Sequence, residues 1–186
     1  MTRQELYDSL DRMPVISAVN DRFFSKALPA PTDVIFLLGC NLLTIPQRIQ
    51  AAHEAGKIIF IHMDLAEGLG KDRSGVQYLA QCGADGIIST RANLIRCAKE
   101  AGLLTVQRFF ALDSQGVDSI QEMLELSCPD LIEIMPGVIG KIIERFSNAK
   151  VPLIAGGLVE TKAEVTCALS SGAAAVSTGK EPLWYI

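Results

Sequence analysis

The stretch that decides the fold is IPQRIQAAHEAGKIIFIHMD, which spans Ile45–Asp64. Its first half carries apolar residues at three- and four-residue spacing, which is typical of an amphipathic helix, and Gly56 supplies the left-handed residue that often ends such a helix. Its second half is a run of Ile and Phe without the alternation of a half-exposed strand, which indicates a strand covered on both faces. The stretch therefore predicts one helix followed by one buried strand.

The same unit recurs along the chain, and eight apolar runs qualify as strands. The predicted strands are Pro14–Val19, Asp33–Leu38, Lys57–Asp64, Gly86–Thr90, Leu104–Phe110, Leu131–Met135, Pro152–Ala155 and Ala174–Thr178. The predicted helices between them are Asp21–Leu28, Ile45–Ala55, Asp72–Gln81, Arg91–Ala101, Ser114–Leu126, Val138–Ser147 and Lys162–Ser171. Several of these helices are followed by glycine, as a left-handed C-terminal cap requires.

Strict alternation of buried strand and helix leaves two architectures, an open doubly wound sheet or a closed (β/α)₈ barrel. The count of eight strands favours the barrel, so the fold class is α/β, a compact TIM-like barrel formed by residues 1–186 as a single domain. A further helix at Arg3–Arg12, within residues 1–13, is expected to pack at the barrel bottom. Only Gly179–Ile186 follow the last strand, so the last helix must be truncated.

Composition excludes several classes of protein. With 186 residues, 49% hydrophobic residues and 20% charged residues, the chain is not disordered. We expect a cytoplasmic protein, because the chain has no apolar run of membrane-spanning length and no signal-peptide pattern. The five cysteines are odd in number and never spaced as CxxC, which argues against a disulfide framework and a zinc site. The net charge of −4 gives no simple argument for nucleic-acid binding.

The loops after the seventh and eighth strands carry the strongest binding signal. In a (β/α)₈ barrel these two loops often bind phosphate, because glycines let backbone N–H groups approach an anion and a hydroxyl adds a donor. The candidate residues are Gly156, Gly157, Ser177, Thr178 and Gly179. The alternative is two tight glycine turns above a packed barrel.

Charged residues on the other strands extend this candidate site. By the two-residue period of a strand, His62 and Asp64 point into the barrel if the opposite face meets the helices. His62 is then more often a neutral, hydrogen-bonded core histidine than a catalytic base. Glu133 is also expected to point inward, where a buried carboxylate needs a partner. Arg108 on the neighbouring strand is the nearest candidate, although Gln107 has the opposite parity and parity alone does not decide which points inward. An internal Glu–Arg pair without a ligand is the alternative.

Two carboxylates beside a phosphate site also suggest a small phosphate-ester enzyme, with Asp64 and Glu133 as general acid and base. No inward lysine suggests a Schiff base, no cluster suggests a metal, and no Ser/His pair has a recognisable context. We therefore expect no cofactor and no metal, and a site better equipped to hold a polyol phosphate than to transform it.

The chain resembles the glycerol-3-phosphate-responsive antiterminator family from about Pro14 to Trp184. The specific motifs are HxDLxEGLxKD at His62–Asp72, GIIST at Gly86–Thr90, EIxPG at Glu133–Gly137 and AGGL at Ala155–Leu158. Further matching segments are Pro14–Val19, Val34–Gly39, Gln107-Arg108, Asp130–Gly137 and Ala175–Thr178. The resemblance implies a small barrel that binds glycerol 3-phosphate and, when loaded, binds the leader of a messenger RNA to prevent early transcription termination.

The resemblance also suggests how the ligand would lie. The phosphate would contact the glycine loops, and the glycerol hydroxyls would face Asp64, Glu67 or Glu133, with Arg108 and Lys71 as further candidates. The RNA surface is less evident, because Arg91, Arg96 and Lys99, and likewise Lys141, Arg145 and Lys150, could be ordinary solvated helix faces. A homodimer would align two modest basic patches. A barrel that retains phosphate affinity without an RNA role is a third hypothesis.

Overall fold

The computed structural model describes all 186 residues and shows a closed barrel of eight parallel strands in sequential order, which confirms the predicted fold class. The strands are β1 (Val15–Asn20), β2 (Val34–Gly39), β3 (Ile58–His62), β4 (Gly86–Ser89), β5 (Leu104–Phe110), β6 (Leu131–Met135), β7 (Leu153–Gly156) and β8 (Ala175–Thr178). The helices are α1 (Arg3–Arg12), α2 (Phe24–Ala27), α3 (Ile45–Glu54), α4 (Arg73–Gln81), α5 (Ala92–Glu100), α6 (Ser114–Ser127), α7 (Gly140–Phe146) and α8 (Lys162–Ser170). Two 3₁₀ helices cover Met63–Leu65 and Glu181–Tyr185.

The core has two layers, as continuous apolar strands require. One cluster of 41 buried residues fills the space between the barrel and its helices, and a second cluster of 13 fills the barrel itself. Alternate residues of β3 divide between the two clusters: Ile59 and Ile61 face the helices, whereas Ile58 and Phe60 face the barrel interior. By the same alternation, His62 points inward, as the sequence predicts.

Helix α1 lies across the amino-terminal end of the barrel. Its Leu6 and Leu10 belong to the interior cluster, and they cover residues at the starts of the strands. Polar contacts fix the helix at this end, since Arg12 pairs with Asp33 just before β2 at 2.7 Å and Arg3 pairs with Asp130 just before β6. The carboxyl-terminal end of the barrel is therefore the end that is left free to bind a ligand.

Helix ends follow the sequence signals closely. Gly56, Gly83, Gly102 and Gly172, each after a predicted helix, all have positive φ. After β8 the structure has the short 3₁₀ helix Glu181–Tyr185 and no further α-helix among the described residues, as the sequence predicts. No helix is long and apolar enough to cross a bilayer.

Two predicted boundaries are wrong. The helix expected at Asp21–Leu28 is a single turn, because Asn20 Oδ1 accepts a hydrogen bond from Phe23 N–H and holds the preceding residues in a turn. The third strand ends at His62 and not at Asp64, because the chain enters the 3₁₀ helix Met63–Leu65, where Ala66 N–H donates to the Met63 carbonyl. Asp64 consequently lies beyond the strand, where strand parity no longer determines its orientation.

Candidate functional site

A cavity of about 350 Å³ opens at the carboxyl-terminal end of the barrel. Residues from six strands or their following loops line it: Ala18, Leu38, Arg108, Glu133, Met135, Gly157, Leu158, Val159, Glu160, Ser177, Thr178, Gly179 and Lys180. Six of the ten residues predicted from the sequence are among them, namely Arg108, Glu133, Gly157, Ser177, Thr178 and Gly179. The loops after β7 and β8 thus meet at one cavity, although they are separate in sequence.

A buried ion pair forms part of the cavity wall. Arg108 lies directly beside Glu133 in the parallel register of β5 and β6, and Arg108 Nε donates to Glu133 Oε2 at 2.6 Å. The two residues are 6% and 1% exposed. No acceptor in the protein takes the terminal amino groups of Arg108. Because those groups belong to a cavity-lining guanidinium, they are available to an anion or a hydroxyl.

The structure resolves the ambiguity between Gln107 and Arg108. Gln107 points away from the barrel interior, where its Oε1 accepts a hydrogen bond from Ser127 of α6. Arg108 therefore points inward, as strand alternation requires once Gln107 points outward.

Gly156 supports the ion pair without lining the cavity. A Cβ atom at this position would lie 2.4 Å from Glu133 Oε1 and 2.8 Å from Ser177 Oγ. Ser177 Oγ donates to Glu133 Oε1, so this carboxylate has a donor on each oxygen. Any side chain at 156 would displace the carboxylate, and Gly156 is therefore required by packing around Glu133.

The loop after β7 has unpaired backbone donors at residues that line the cavity. Gly157 and Leu158 both have left-handed backbone conformations, with φ of 74° and 60°. The N–H groups of Gly157, Leu158 and Gly179 have no acceptor within the chain. Successive N–H groups in turns of this kind form concave anion sites, and phosphate sites in (β/α)₈ barrels use the same two loops.

The hydroxyls of this region are already committed to the protein. Thr178 Oγ1 donates to the Val159 carbonyl at 2.7 Å and accepts from Lys180 N–H, while Ser177 Oγ donates to Glu133. Main-chain amides and not side-chain hydroxyls are thus the free donors of the two loops. The N-terminus of α8 is also occupied, since Glu164 closes a capping box with Thr161.

Sequence reasoning missed Lys180 as a cavity residue. Lys180 immediately follows Gly179, and its Nζ pairs with Glu160 Oε1 at 2.9 Å across the mouth between the two loops. Its position directly after Gly179, in a predicted phosphate-binding loop, could have identified it from the sequence as a residue of this site. This pair brings a cation to the rim, but Glu160 neutralises much of its charge.

His62 lies near Arg108 inside the barrel. Burial and the neighbouring Arg108 charge lower the pKa of His62 from 6.5 to about 4, so the imidazole is neutral at pH 7. His62 is 3% exposed, and its Nδ1 has no hydrogen-bond partner. The neutral state agrees with the sequence interpretation, whereas the expected hydrogen bond at Nδ1 is missing.

Asp64 lies apart from this cavity. Its carboxylate accepts hydrogen bonds from Ser89 Oγ and from both Thr90 N–H and Thr90 Oγ1, and Arg91 Nε approaches it to 3.3 Å. These donors come from β4 and the loop that follows it. Asp64 therefore stabilises the junction of β3 and β4, and the structure does not bring it to the cavity that Glu133 lines.

Glu67 and Lys71 also lie away from the glycine loops. Glu67 lines a separate hollow of about 290 Å³ beside the loops after β1 and β2, where its backbone pairs with Cys40 and Leu42. Lys71 Nζ donates to the Ala66 carbonyl within its own loop, and burial lowers the pKa of Lys71. Of the residues predicted to face the glycerol hydroxyls, Arg108 and Glu133 line the first cavity and Glu67 lines the second hollow, whereas Asp64 and Lys71 line neither.

The enzyme alternative requires Asp64 and Glu133 to face one substrate. The structure instead satisfies Asp64 with donors from the β4 loop and engages Glu133 with Arg108 and Ser177. Neither carboxylate has the free, paired arrangement expected of a general acid and base acting on one substrate. What the cavity offers is a set of unpaired N–H donors beside a guanidinium, which suits binding of an anionic ligand.

Comparisons with known proteins point to one family. Residues 15–184 match the family model described as glycerol-3-phosphate responsive antiterminator. The chain is 35% identical over 180 residues to the uncharacterized protein YgcP of Escherichia coli (strain K12), covering 95% of this chain and 94% of that protein.

Two crystal structures extend the likeness to the fold. The glycerol uptake operon antiterminator regulatory protein from Listeria monocytogenes is 32% identical with a TM-score of 0.87, covering 91% of this chain and 94% of that one. A glycerol uptake operon antiterminator-related protein from Thermotoga maritima is 33% identical with a TM-score of 0.82, covering 91% and 96%. Aldolase barrels at 10% or 11% identity share the fold alone. The chain belongs to the glycerol-3-phosphate responsive antiterminator family.

Proposed function

We propose that this protein is a ligand-gated regulator that binds glycerol 3-phosphate in the cavity between the β7 and β8 loops. Membership of the antiterminator family supports a regulatory role. The observation that carries the ligand assignment is the set of unpaired N–H groups of Gly157, Leu158 and Gly179 at one cavity. A phosphate dianion there would accept these donors, as anions do at barrel loops and backbone nests.

The glycerol end of the ligand would meet the ion pair. Arg108 offers terminal amino groups as donors, and the Glu133 oxygens retain lone pairs beyond the two bonds they already accept. A hydroxyl both donates and accepts, so it can bond to both members of such a pair.

Calorimetry tests the ligand assignment directly. Glycerol 3-phosphate should bind, while glycerol, which lacks the phosphate, should show no measurable heat. Gly157→Asp should reduce affinity at least about 100-fold, because the added carboxylate would repel the phosphate and a Cβ 2.5 Å from Met135 Cε would also displace this cavity-lining side chain.

A matched control separates this effect from backbone strain. Gly83 has a similar φ of 84°, lies after α4 at the other end of the barrel, and has open space where a Cβ would lie. Gly83→Asp should therefore retain wild-type affinity. Equal affinity of Gly157→Asp and the wild type would contradict the assigned cavity.

Loaded protein would then bind the leader of a messenger RNA and prevent early transcription termination. The effector can act only by binding the RNA-competent state more tightly than the other state. Several basic residues are already paired within the chain: Arg91 with Asp64, Lys99 with Asp130 and Arg145 with Asp118. A homodimer would supply a second copy of the unpaired cations, which is how a chain of net charge −4 could meet a phosphate backbone.

Gel-shift titration with the leader of its own operon tests this step. Affinity should rise when glycerol 3-phosphate is added and should fall steeply with salt, because phosphate contacts release counterions. Analytical ultracentrifugation of the loaded protein tests the dimer. Ligand binding without any RNA shift would favour a phosphate-binding barrel that has no RNA role.

A further inference from the structure

Leu158 has an unusual backbone for its residue type. Only two non-glycine residues of the chain have positive φ, Cys128 and Leu158. Cys128 ends α6 as its C-cap, where a left-handed residue satisfies the helix end. Leu158 caps no helix, since it lies in the loop between β7 and α8. A left-handed conformation costs a residue with a Cβ about 1–2 kcal/mol.

Hydrogen bonds hold the residues on both sides of Leu158. Gly137 N–H donates to the carbonyls of Gly156 at 2.6 Å and Gly157 at 3.1 Å. On the other side, Thr178 Oγ1 donates to the carbonyl of Val159, whose side chain is buried. These contacts impose the left-handed conformation on the residue between them.

The Leu158 side chain gains no packing that would offset this cost. It is 69% exposed, whereas glycine, as at the adjacent Gly157, would adopt the same backbone without strain. Strained residues that the surrounding structure over-determines concentrate at ligand-binding sites. The cost of a left-handed leucine is therefore not offset in the ligand-free protein, and we expect its side chain to make a stabilising contact when a ligand is bound.

We propose that Leu158 determines specificity by closing its side chain over the carbon skeleton of the bound phosphate ester. The inference rests on the proposed function. Leu158 lines the same cavity as Gly157 and Gly179, and its own N–H is one of the unpaired donors. One residue then contacts both parts of the ligand, with its amide on the phosphate and its side chain on the carbon chain.

This arrangement distinguishes an organic phosphate from inorganic phosphate. Both ligands would take the same N–H donors, but only the ester carries apolar atoms that the leucine can cover. Burying about 40 Å² of apolar surface is worth about 1 kcal/mol, which corresponds to about a fivefold gain in affinity. Leu158 therefore favours glycerol 3-phosphate over free phosphate.

Three variants at this position test the proposal on the full chain. Trp184 is the single tryptophan, and its Nε1 donates to the carbonyl of the cavity residue Thr178 at 2.9 Å, so its fluorescence can follow binding. Glycerol 3-phosphate is titrated directly, and inorganic phosphate is titrated alone and as a competitor. Leu158→Ala and Leu158→Gly should each weaken glycerol 3-phosphate about fivefold and leave phosphate affinity unchanged. Leu158→Met, which keeps an apolar side chain of similar length, should restore wild-type affinity.

The relative losses for the two ligands decide the outcome. Equal weakening of both ligands would mean that Leu158 acts only through its backbone. Unchanged affinity for glycerol 3-phosphate would mean that the side chain makes no contact with the ligand. Either result overturns the inference about Leu158 and leaves the proposed function standing. A wild-type protein that binds neither ligand would overturn the proposed function together with it. Thermal unfolding checks the variants, and Leu158→Gly should unfold no lower than the wild type because it removes strain.

Discussion

Two sides of the barrel mouth differ in whether their polar groups find hydrogen-bond partners within the chain. On the β3–β4 side, the Asp64 carboxylate is satisfied by Ser89, Thr90 and Arg91. On the β7–β8 side, the cavity-lining residues Gly157, Leu158 and Gly179 have backbone N–H groups without an acceptor in the chain. A polar group that the chain itself satisfies stabilises the fold, whereas one left open at a cavity is free for a ligand. From the sequence, Asp64 had been a candidate to face the hydroxyls of the ligand.

The largest effect we predict is the loss of stability on breaking the ion pair between these sides. Arg108→Met leaves the buried Glu133 without its cation and should lower the free energy of unfolding by about 3–5 kcal/mol. Urea unfolding measures the loss.

A double variant separates stability from binding in this prediction. Adding Glu133→Met removes the unpaired carboxylate and should recover most of the stability, since apolar replacement of a buried pair is often neutral. It should not recover affinity for glycerol 3-phosphate. A double variant that binds as well as the wild type would remove Arg108 and Glu133 from the site.

A second prediction concerns His62, the last residue of β3, which points into the barrel near Arg108. Its pKa is lowered to about 4 in the folded protein from the ordinary value of 6.5, so the unfolded chain binds the proton more readily. The stability contribution is complete above pH 6.5 and falls as the pH drops from about 6.5 to 4, by about 3 kcal/mol at most.

His62→Asn isolates this contribution from the other titrating groups. Urea unfolding at pH 7 and at about pH 4.5 should show a smaller pH-dependent loss in the variant than in the wild type, because only the wild type gains this proton on unfolding. Identical losses in both proteins would mean that His62 keeps an ordinary pKa and is not buried beside Arg108 as described.

The smallest of these three effects on stability sharpens the contrast at Asp64. Asp64→Ala removes the acceptor for Ser89 and Thr90 and should destabilise the protein by about 2 kcal/mol. Affinity for glycerol 3-phosphate should stay at the wild-type value, because Asp64 lies outside the cavity. A calorimetric titration that showed a tenfold weaker variant would place Asp64 on the ligand and erase the difference between the two sides.

The sequence predicted the barrel well because its signals are local. Apolar runs such as Ile58–Ile61 define buried strands, and glycines such as Gly56 and Gly102 end helices, so counting units sufficed to choose the closed barrel. The errors fell where a local hydrogen bond altered the path of the chain. Asn20 shortened the first helix after a strand, and the turn at Met63–Leu65 removed Asp64 from strand alternation.

The candidate site was only partly predictable. Glycine loops at the ends of β7 and β8 are a sequence signal, and the structure brings them to one cavity. The orientation of Arg108 and the isolation of Glu67 were not predictable, because each depends on contacts with residues far away in the chain. The left-handed backbone of Leu158 had no sequence signal, since it accompanies hydrogen bonds that Gly137 and Thr178 make to the neighbouring residues.

By itself, the sequence determined eight buried strands, their alternation with helices and the glycines that end them, because hydrophobic periodicity and backbone freedom act over a few neighbouring residues. Tertiary structure alone decided which donors remain unpaired. Hydrogen-bond satisfaction is a property of groups brought together from different strands, so Asp64 became structural and the amides near Gly157 stayed open only once the barrel had closed.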